Sequence, residues 1–274
     1  MFDYSRPETL IDTQWLAEHL DDPAVRIVEV DMMPDACADA HIPVAVFWNI
    51  LSDLMKPDMS MNFDLQQLLS QSGILPETTI VPYGSNPAAS GSVFWLLKYF
   101  GHDNIRILNG GHQKWVKEGR PLSSELASVE PTQYIAPAVG DRTCQISAAA
   151  VKEALDHPNT IILDVRTLAE YNGEVFLNEP PEGSEQAGHI PGAVHLEHAN
   201  VLNKDGTFKS AEALESLFIQ HGISKDKKII PYCAVGGRSG FIWFVLKYLL
   251  DYPDVQNYDG SWNEWSRLPN ALIE

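Results

Sequence analysis

Three stretches of this 274-residue chain occur twice, in the same order. "AHIPVAVFWNI" at 40–50 returns as "GHIPGAVHLEH" at 188–198, which matches His41 to His189 at an offset of 148. "IVPYGSNPAASGSVFWLLKYF" at 80–100 returns as "IIPYCAVGGRSGFIWFVLKYL" at 229–249, which matches Tyr83 to Tyr232 at an offset of 149. "NGGHQKW" at 109–115 returns as "DGSWNEW" at 259–265. One short echo can arise by chance, but three ordered blocks at a nearly constant offset mark a tandem duplication. The repeated unit is roughly 130 residues, too long for a solenoid repeat and the size of a compact domain.

Within each half, short apolar runs alternate with helical periodicity. In the first, 25–31, 78–83 and 105–108 read as strands, and 65–73 and 90–101 as helices. In the second, 160–165, 227–232 and 255–258 read as strands, and 211–222 and 236–250 as helices. Such alternation predicts an α/β fold in each half, a mostly parallel sheet with helices on both faces. The stretch 118–141, "EGRPLSSELASVEPTQYIAPAVGD", lacks periodicity and is rich in Pro and Ser, so it reads as a connection. The expected division is a first domain over 1–120, a linker over 121–142 and a second domain over 143–274. The spacing from Glu29 to His41 is 12, and from Asp164 to His189 it is 25. The extra 13 residues fall within "YNGEVFLNEPPEGSEQ" at 171–186, and the acidic Pro/Gly-rich insertion, taken as 174–187, reads as a solvated loop or a docking segment.

Composition narrows the function. Lys and Arg number 19 against 37 Asp and Glu, for a net charge of −18. That balance argues against a nucleic-acid binder or an anionic-membrane binder, and an anionic substrate must be held by local donors. Three widely spaced cysteines, Cys37, Cys144 and Cys233, form no CxxC or Cys/His cluster, so no metal site is expected and a reducing compartment fits best. The N-terminus lacks the pattern of a signal peptide, and no run of about 18 apolar residues occurs. A cytoplasmic protein is expected.

One cysteine stands apart. Cys233 lies where a parallel strand ends and a helix is about to begin, in "PYCAVGGRSG" at 231–240. Ligands of open α/β sheets bind beyond the carboxyl ends of strands. Loop amides backed by a helix N-terminus form an anion site there, and the same potential favours an exposed thiolate, the nucleophilic form. Ala234, Val235, Gly236 and Gly237 supply loop amides, and the glycines permit a tight turn. Arg238 offers a fixed cationic fork, and Ser239 a helix cap or a loop donor. The first half has Gly84-Ser85-Asn86-Pro87 at the matching place, with no thiol and with a proline that lacks an amide proton. One copy keeps the scaffold while the other carries the nucleophile. Cys37 and Cys144 read as buried or incidental, His41 and His189 as turn-fixing residues, and Trp262 and Trp265 as core.

These segments, with "LDVRTLAEY" at 163–171, "GHIPGAV" at 188–194, "YDGSWNEW" at 258–265 and "ILNGGHQKW" at 107–115, resemble the tandem-domain rhodanese family of sulfurtransferases. The resemblance implies an inactive first domain, a catalytic second domain and an active site between them. It implies a six-residue loop from Cys233 to Arg238, a persulfide on Cys233, and no metal or organic cofactor. Its usual donors are thiosulfate and 3-mercaptopyruvate, and its usual acceptors are cyanide or a thiol. Mercaptopyruvate enzymes carry a "CGSGVTA"-like loop and vertebrate-type thiosulfate enzymes a "CRKGVTA"-like loop. "CAVGGRS" matches neither and is closer to bacterial thiosulfate-type members, so thiosulfate is the favoured donor. Some tandem members place an arginine near the position of Glu170 to bind the donor's anionic end, a contact not expected here. Asp164 and Arg166 look like the family's Asp-x-Arg, read as an ion pair near the domain interface or an anion contact.

Two other readings compete. Dual-specificity phosphatases of related fold have five residues between cysteine and arginine, enough to surround a phosphate, whereas this loop has four. A persulfide carrier would use the same thiol to deliver sulfur to an acceptor protein.

Overall fold

The computed structural model describes residues 3–33, 41–137, 140–176, 179–181 and 186–274. Cys37 and the part of the acidic insertion at 177–178 and 182–185 lie outside the described residues. In the first half the elements run β1 (Leu10–Ile11), α1 (Thr13–Glu18), β2 (Val25–Asp31), β3 (Val46–Asn49), α2 (Gln66–Gln71), β4 (Thr79–Tyr83), α3 (Pro87–Phe100), β5 (Ile107–Leu108) and α4 (Gly111–Lys117). The second runs α5 (Ala148–Ala154), β6 (Thr160–Asp164), α6 (Leu168–Tyr171), β7 (Val194–His195), α7 (Ala211–Gln220), β8 (Lys228–Tyr232), α8 (Gly237–Phe244) and α9 (Ser261–Trp265).

The two halves share one topology. β2 is flanked by β3 and β4, all parallel, and a parallel bridge from Ile80 to Ile105 carries the order on to β5 and β1. β6 is flanked by β7 and β8, and parallel bridges from Ile229 to Val255 and from Gln145 to Asn257 continue it. Glu29 stands beside Tyr83 in one register, and Asp164 beside Tyr232 in the other.

Side chains of a strand point alternately to opposite faces. Accordingly Ile27 joins one apolar cluster with Val81, Tyr83 and Trp115, while Val28 and Val30 join another with Ile80. In the second half Ile162 and Ile230 line an outer cluster, and Leu163 and Ile229 point inward. The two inward faces belong to a single core, with α3 and α8 crossing inside it. Glycines permit that close crossing. A methyl group at Gly91 would lie 2.5 Å from the Phe241 ring, and one at Gly240 would lie 3.3 Å from Trp95 Cβ. Phe94 and Phe244 meet edge to face at 4.7 Å. The halves therefore bury apolar surface against each other, which brings the start of α3 beside the start of α8.

The predicted helix over 236–250 is interrupted. α8 ends at Phe244, and Val245–Leu249 forms a π-turn, with Leu250 N–H donating to Val245 O at 3.1 Å. A π-turn accommodates one extra residue in a helix. It accounts for the change of repeat offset from 149 at Tyr83 and Tyr232 to 150 at Asn109 and Asp259. The predicted strand at 255–258 is reduced to single bridges. Part of the predicted linker lies along the first half: Ser123 bridges His41, and Ala127 N–H donates to Ala45 O at 2.8 Å.

Candidate active site

The base of the site is a buried polar clasp. Tyr232, the last residue of β8, donates its hydroxyl to Asp164 at 2.5 Å and accepts the Ile190 N–H at 3.1 Å. Burial pushes the Tyr232 phenol well up, and the neighbouring Asp164 carboxylate adds to that, so the phenol stays a donor. Asp164 also receives Arg166 Nη2 at 2.6 Å and Nε at 3.0 Å, and Arg166 donates to Gly188 O at 2.8 Å. The Arg166 guanidinium lies 4.7 Å over the Trp262 ring, and both members of the ion pair are buried. Of the two readings of Arg166, ion pair or anion contact, the structure has the ion pair with Asp164. Its charge is matched by Asp164, and its role here is to tie β6 to the chain near Gly188.

Cys233 follows directly. Its sulfur accepts the Gly236 N–H at 3.2 Å, and Ser239 Oγ and Ser261 Oγ lie 3.7 and 3.9 Å away. Each hydroxyl carries one proton. Ser239 can direct it to Gly236 O at 3.0 Å or to the sulfur, and Ser261 to Tyr258 O at 2.8 Å or to the sulfur. Ser239 thus serves the loop rather than the helix end, and α8 has no side-chain cap. The residues before and at the start of α9 hold the loop from outside. Cys233 N–H donates to Ser261 Oγ at 3.0 Å, Trp262 N–H to Cys233 O at 3.0 Å, and Asn263 N–H to Ala234 O at 2.8 Å. These contacts bury Ala234, Gly236 and Ser239 and leave Val235, Gly237 and Arg238 half-buried at the rim. Cys233 itself is 1% exposed, which corrects the expectation of an exposed thiolate. Ser261 was not anticipated. Its counterpart in the repeat is Gly111, and both have φ of +52°. A serine in the left-handed region is strained and persists where its surroundings demand it.

Arg238, expected to serve loop structure and anion binding alike, has a protein partner. Its fork does not face an open anion site. Nη1 and Nη2 donate to the two carboxylate oxygens of Glu170 at 2.7 and 2.8 Å. Glu170 is buried and also accepts from Thr167 N–H and Oγ in a capping box on α6. Burial opposes ionisation of Glu170, but Arg238 outweighs it and holds the carboxyl below its ordinary range.

Close to this pair, burial and then the Arg238 charge push His198 down to about 4. His102, buried between Tyr134 OH and Thr78 O at 3.0 Å each, is also lowered, chiefly by burial. The unfolded chain binds these protons near pH 6.5 and the folded chain only at lower pH. Stability should therefore decline as pH falls from about 6.5 toward 4, by up to about 2–3 kcal/mol for His198. Urea midpoints across that range check this, and His198→Asn should flatten the slope.

The first half lacks the cradle. Gly84 takes the place of Cys233, and a Cβ there would lie 2.4 Å from Val30 O. Ser85 N–H and Oγ bind Asp31 at 2.8 and 2.5 Å, and Asn86 caps α3 by accepting Ala88 N–H at 2.9 Å. His41 Nδ1 lies 2.8 Å from Glu29, and His189 Nδ1 lies 2.9 Å from Tyr171 O, so the paired histidines have different partners. Cys144 is buried, and burial pushes its thiol up to about 12. Trp262 and Trp265 lie in the core. Among the described residues no helix is long and apolar enough to cross a membrane.

A cysteine in a strand–loop–helix cradle, set in the second of two duplicated α/β halves, is the arrangement that the resemblance to tandem sulfurtransferases implies. The chain belongs to the rhodanese family: the rhodanese-like domain matches residues 12–118 and again 147–268. It is 43% identical to the sulfur carrier protein TtuD of Thermus thermophilus, over 98% of each chain. It is 37% identical to a Haloferax volcanii protein named "Putative thiosulfate sulfurtransferase", over 99% of this chain and 98% of the other. Among solved structures, the anaerobic ergothioneine biosynthesis enzyme of Chlorobium limicola, bound to trimethyl histidine, superposes with a TM-score of 0.86 at 26% identity, covering 100% of this chain and 72% of that one. A variant of EanB described as a cysteine persulfide in a tetrahedral intermediate state with ergothioneine gives a TM-score of 0.86 at 25% identity, over the same shares of the two chains.

Proposed function

We propose that this sulfurtransferase carries sulfane sulfur on Cys233, taking it from thiosulfate and giving it to a thiophilic acceptor. The observation that carries the reading is the Gly236 N–H aimed at Cys233 Sγ at 3.2 Å, in a cradle that the first half lacks. The Cys233 thiolate attacks the outer sulfur of thiosulfate. A new S–S bond forms, the old one breaks, and sulfite leaves with the bonding pair. Loop amides stabilise the negative charge on the sulfur, as an oxyanion hole does for oxygen. Cyanide or a thiol then attacks the outer sulfur, and Cys233 leaves as thiolate in a ping-pong cycle. No outside oxidant or reductant is needed.

A second reading, sulfur delivery to an acceptor protein, is favoured by two observations. The relative at 43% identity is named a sulfur carrier, and Glu170 neutralises the loop cation that a small dianionic donor would use. The test is intact mass and peptide mapping after incubation with thiosulfate or 3-mercaptopyruvate. The expected result is a gain of one sulfur atom on the Cys233 peptide, removed by cyanide. Sulfur that never appears, or that appears on Cys144 or Cys37, refutes the assignment. Slow release to cyanide with fast transfer to a protein thiol selects the carrier reading.

A further inference from the structure

Each half lends the other a hairpin. In the second half Leu202 and Phe208 bridge an antiparallel turn in which Thr207 N–H donates to Asp205 Oδ1 at 3.1 Å, with Gly206 at its tip and φ of +79°. The tip stands over the emptied loop of the first half. A Cβ on Gly206 would lie 3.2 Å from both Gly110 O and Gln113 Oε1, and Gly206 lines a small void with Gly84, Ser90 and Gly111. In the first half Met55 and Met61 bridge the same turn, in which Ser60 N–H donates to Asp58 Oδ1 at 3.0 Å. Every residue of this hairpin precedes its counterpart by 147 positions, so Met59 corresponds to Gly206.

The contact is reciprocal. Asn263, the counterpart of Gln113, donates its side-chain amide to Asp58 O at 3.0 Å. Its backbone N–H holds Ala234 O at 2.8 Å, one residue beyond Cys233. The first half's hairpin therefore reaches the lip of the sulfur cradle. Its tip residue has φ of +65°, where glycine is the unstrained choice, yet it is a half-buried methionine.

We infer that Met59 is a specificity-determining residue supplied to the Cys233 site by the opposite half: a flexible apolar thioether that narrows the mouth, admits slender nucleophiles and slows bulky ones. The inference rests on Cys233 being the reactive thiol, but its test is independent of sulfur transfer. The unloaded protein is alkylated with iodoacetamide and, separately, with a bulky aryl maleimide. Rates are read at the Cys233 peptide for the wild type, Met59→Ala and Met59→Gly. Both variants should raise the ratio of maleimide to iodoacetamide rates by roughly tenfold, which corresponds to about 1.4 kcal/mol of barrier. Met59→Gly should also raise the melting temperature, because glycine relieves the left-handed backbone, while Met59→Ala should not. An unchanged rate ratio in both variants overturns the inference. A Cys233 that alkylates normally but never accepts sulfur refutes the transfer reading and leaves the gate standing.

Discussion

Gly236→Ala is expected to abolish most sulfur loading and to lower the melting temperature at the same time. Gly236 has φ of +88°, and a Cβ there would lie 2.4 Å from Asp259 O and 2.9 Å from Asp259 Cα. Both are backbone atoms, so no side chain can swing aside. The left-handed conformation alone costs an L-residue about 1–2 kcal/mol. Relief of the clash must move either the loop or the segment leading into α9. Either movement displaces the Gly236 N–H, which donates to Cys233 at 3.2 Å, and the grip of Trp262 on Cys233 O. Loss of one preorganised donor of this kind typically costs about 10²–10³ in rate. Single-turnover loading should therefore slow by at least about 100-fold. The melting temperature should fall by roughly 4–8 °C, taking about 2 kcal/mol at 2–4 °C per kcal/mol. A variant that loads at the wild-type rate would show that the Gly236 amide has no part in the chemistry.

The same geometry explains why the first half cannot be restored by one change. α3 begins with an Asn86 cap and Pro87 at its first position, an ordinary stable helix start. α8 begins at a left-handed glycine with no side-chain cap. The second half leaves amides available at the helix start, while the first has a side chain and a proline there. Gly84 moreover has no room for a Cβ beneath Val30 O.

The duplication made the architecture legible, because matched blocks fix which strands and helices correspond. The candidate nucleophile stood out for the same reason: Cys233 stands where the first copy has Gly84. Partnerships across long separations were not. Arg238 looked like an anion ligand because nothing in a linear reading places Glu170, 68 residues away, against its fork. The π-turn was visible only as a shift of one in the repeat offset, and a shift does not say where the extra residue goes. Ser261 was hidden by chemistry, since a serine inside "DGSW" reads as a turn residue until its φ is known.

Glu170→Gln is expected to weaken the fold and to improve the use of thiosulfate. Gln keeps the shape and can still accept from Thr167, but it removes the negative charge facing Arg238. Removing one partner of a buried pair costs about 3–5 kcal/mol. Arg238 retains 21% side-chain exposure, so solvent compensates in part and about 1–2 kcal/mol is expected near neutral pH. The sign of its pH dependence follows from Glu170. Its folded pKa is depressed, so the stabilisation is present above the unfolded value near 4.3 and is lost as pH falls through the folded one. The urea midpoints of the two proteins should converge in acid. At the cradle the change acts the other way. A negative charge at Cys233 would favour the Arg238 cation, and without Glu170 that cation faces the donor unopposed. A unit charge at near-surface dielectric is worth about 1–2 kcal/mol, which should lower KM for thiosulfate by roughly 5–30-fold, less at high salt. A KM unmoved by the substitution, with stability reduced, would mean that Arg238 only braces the loop and that the donor's charge is met elsewhere.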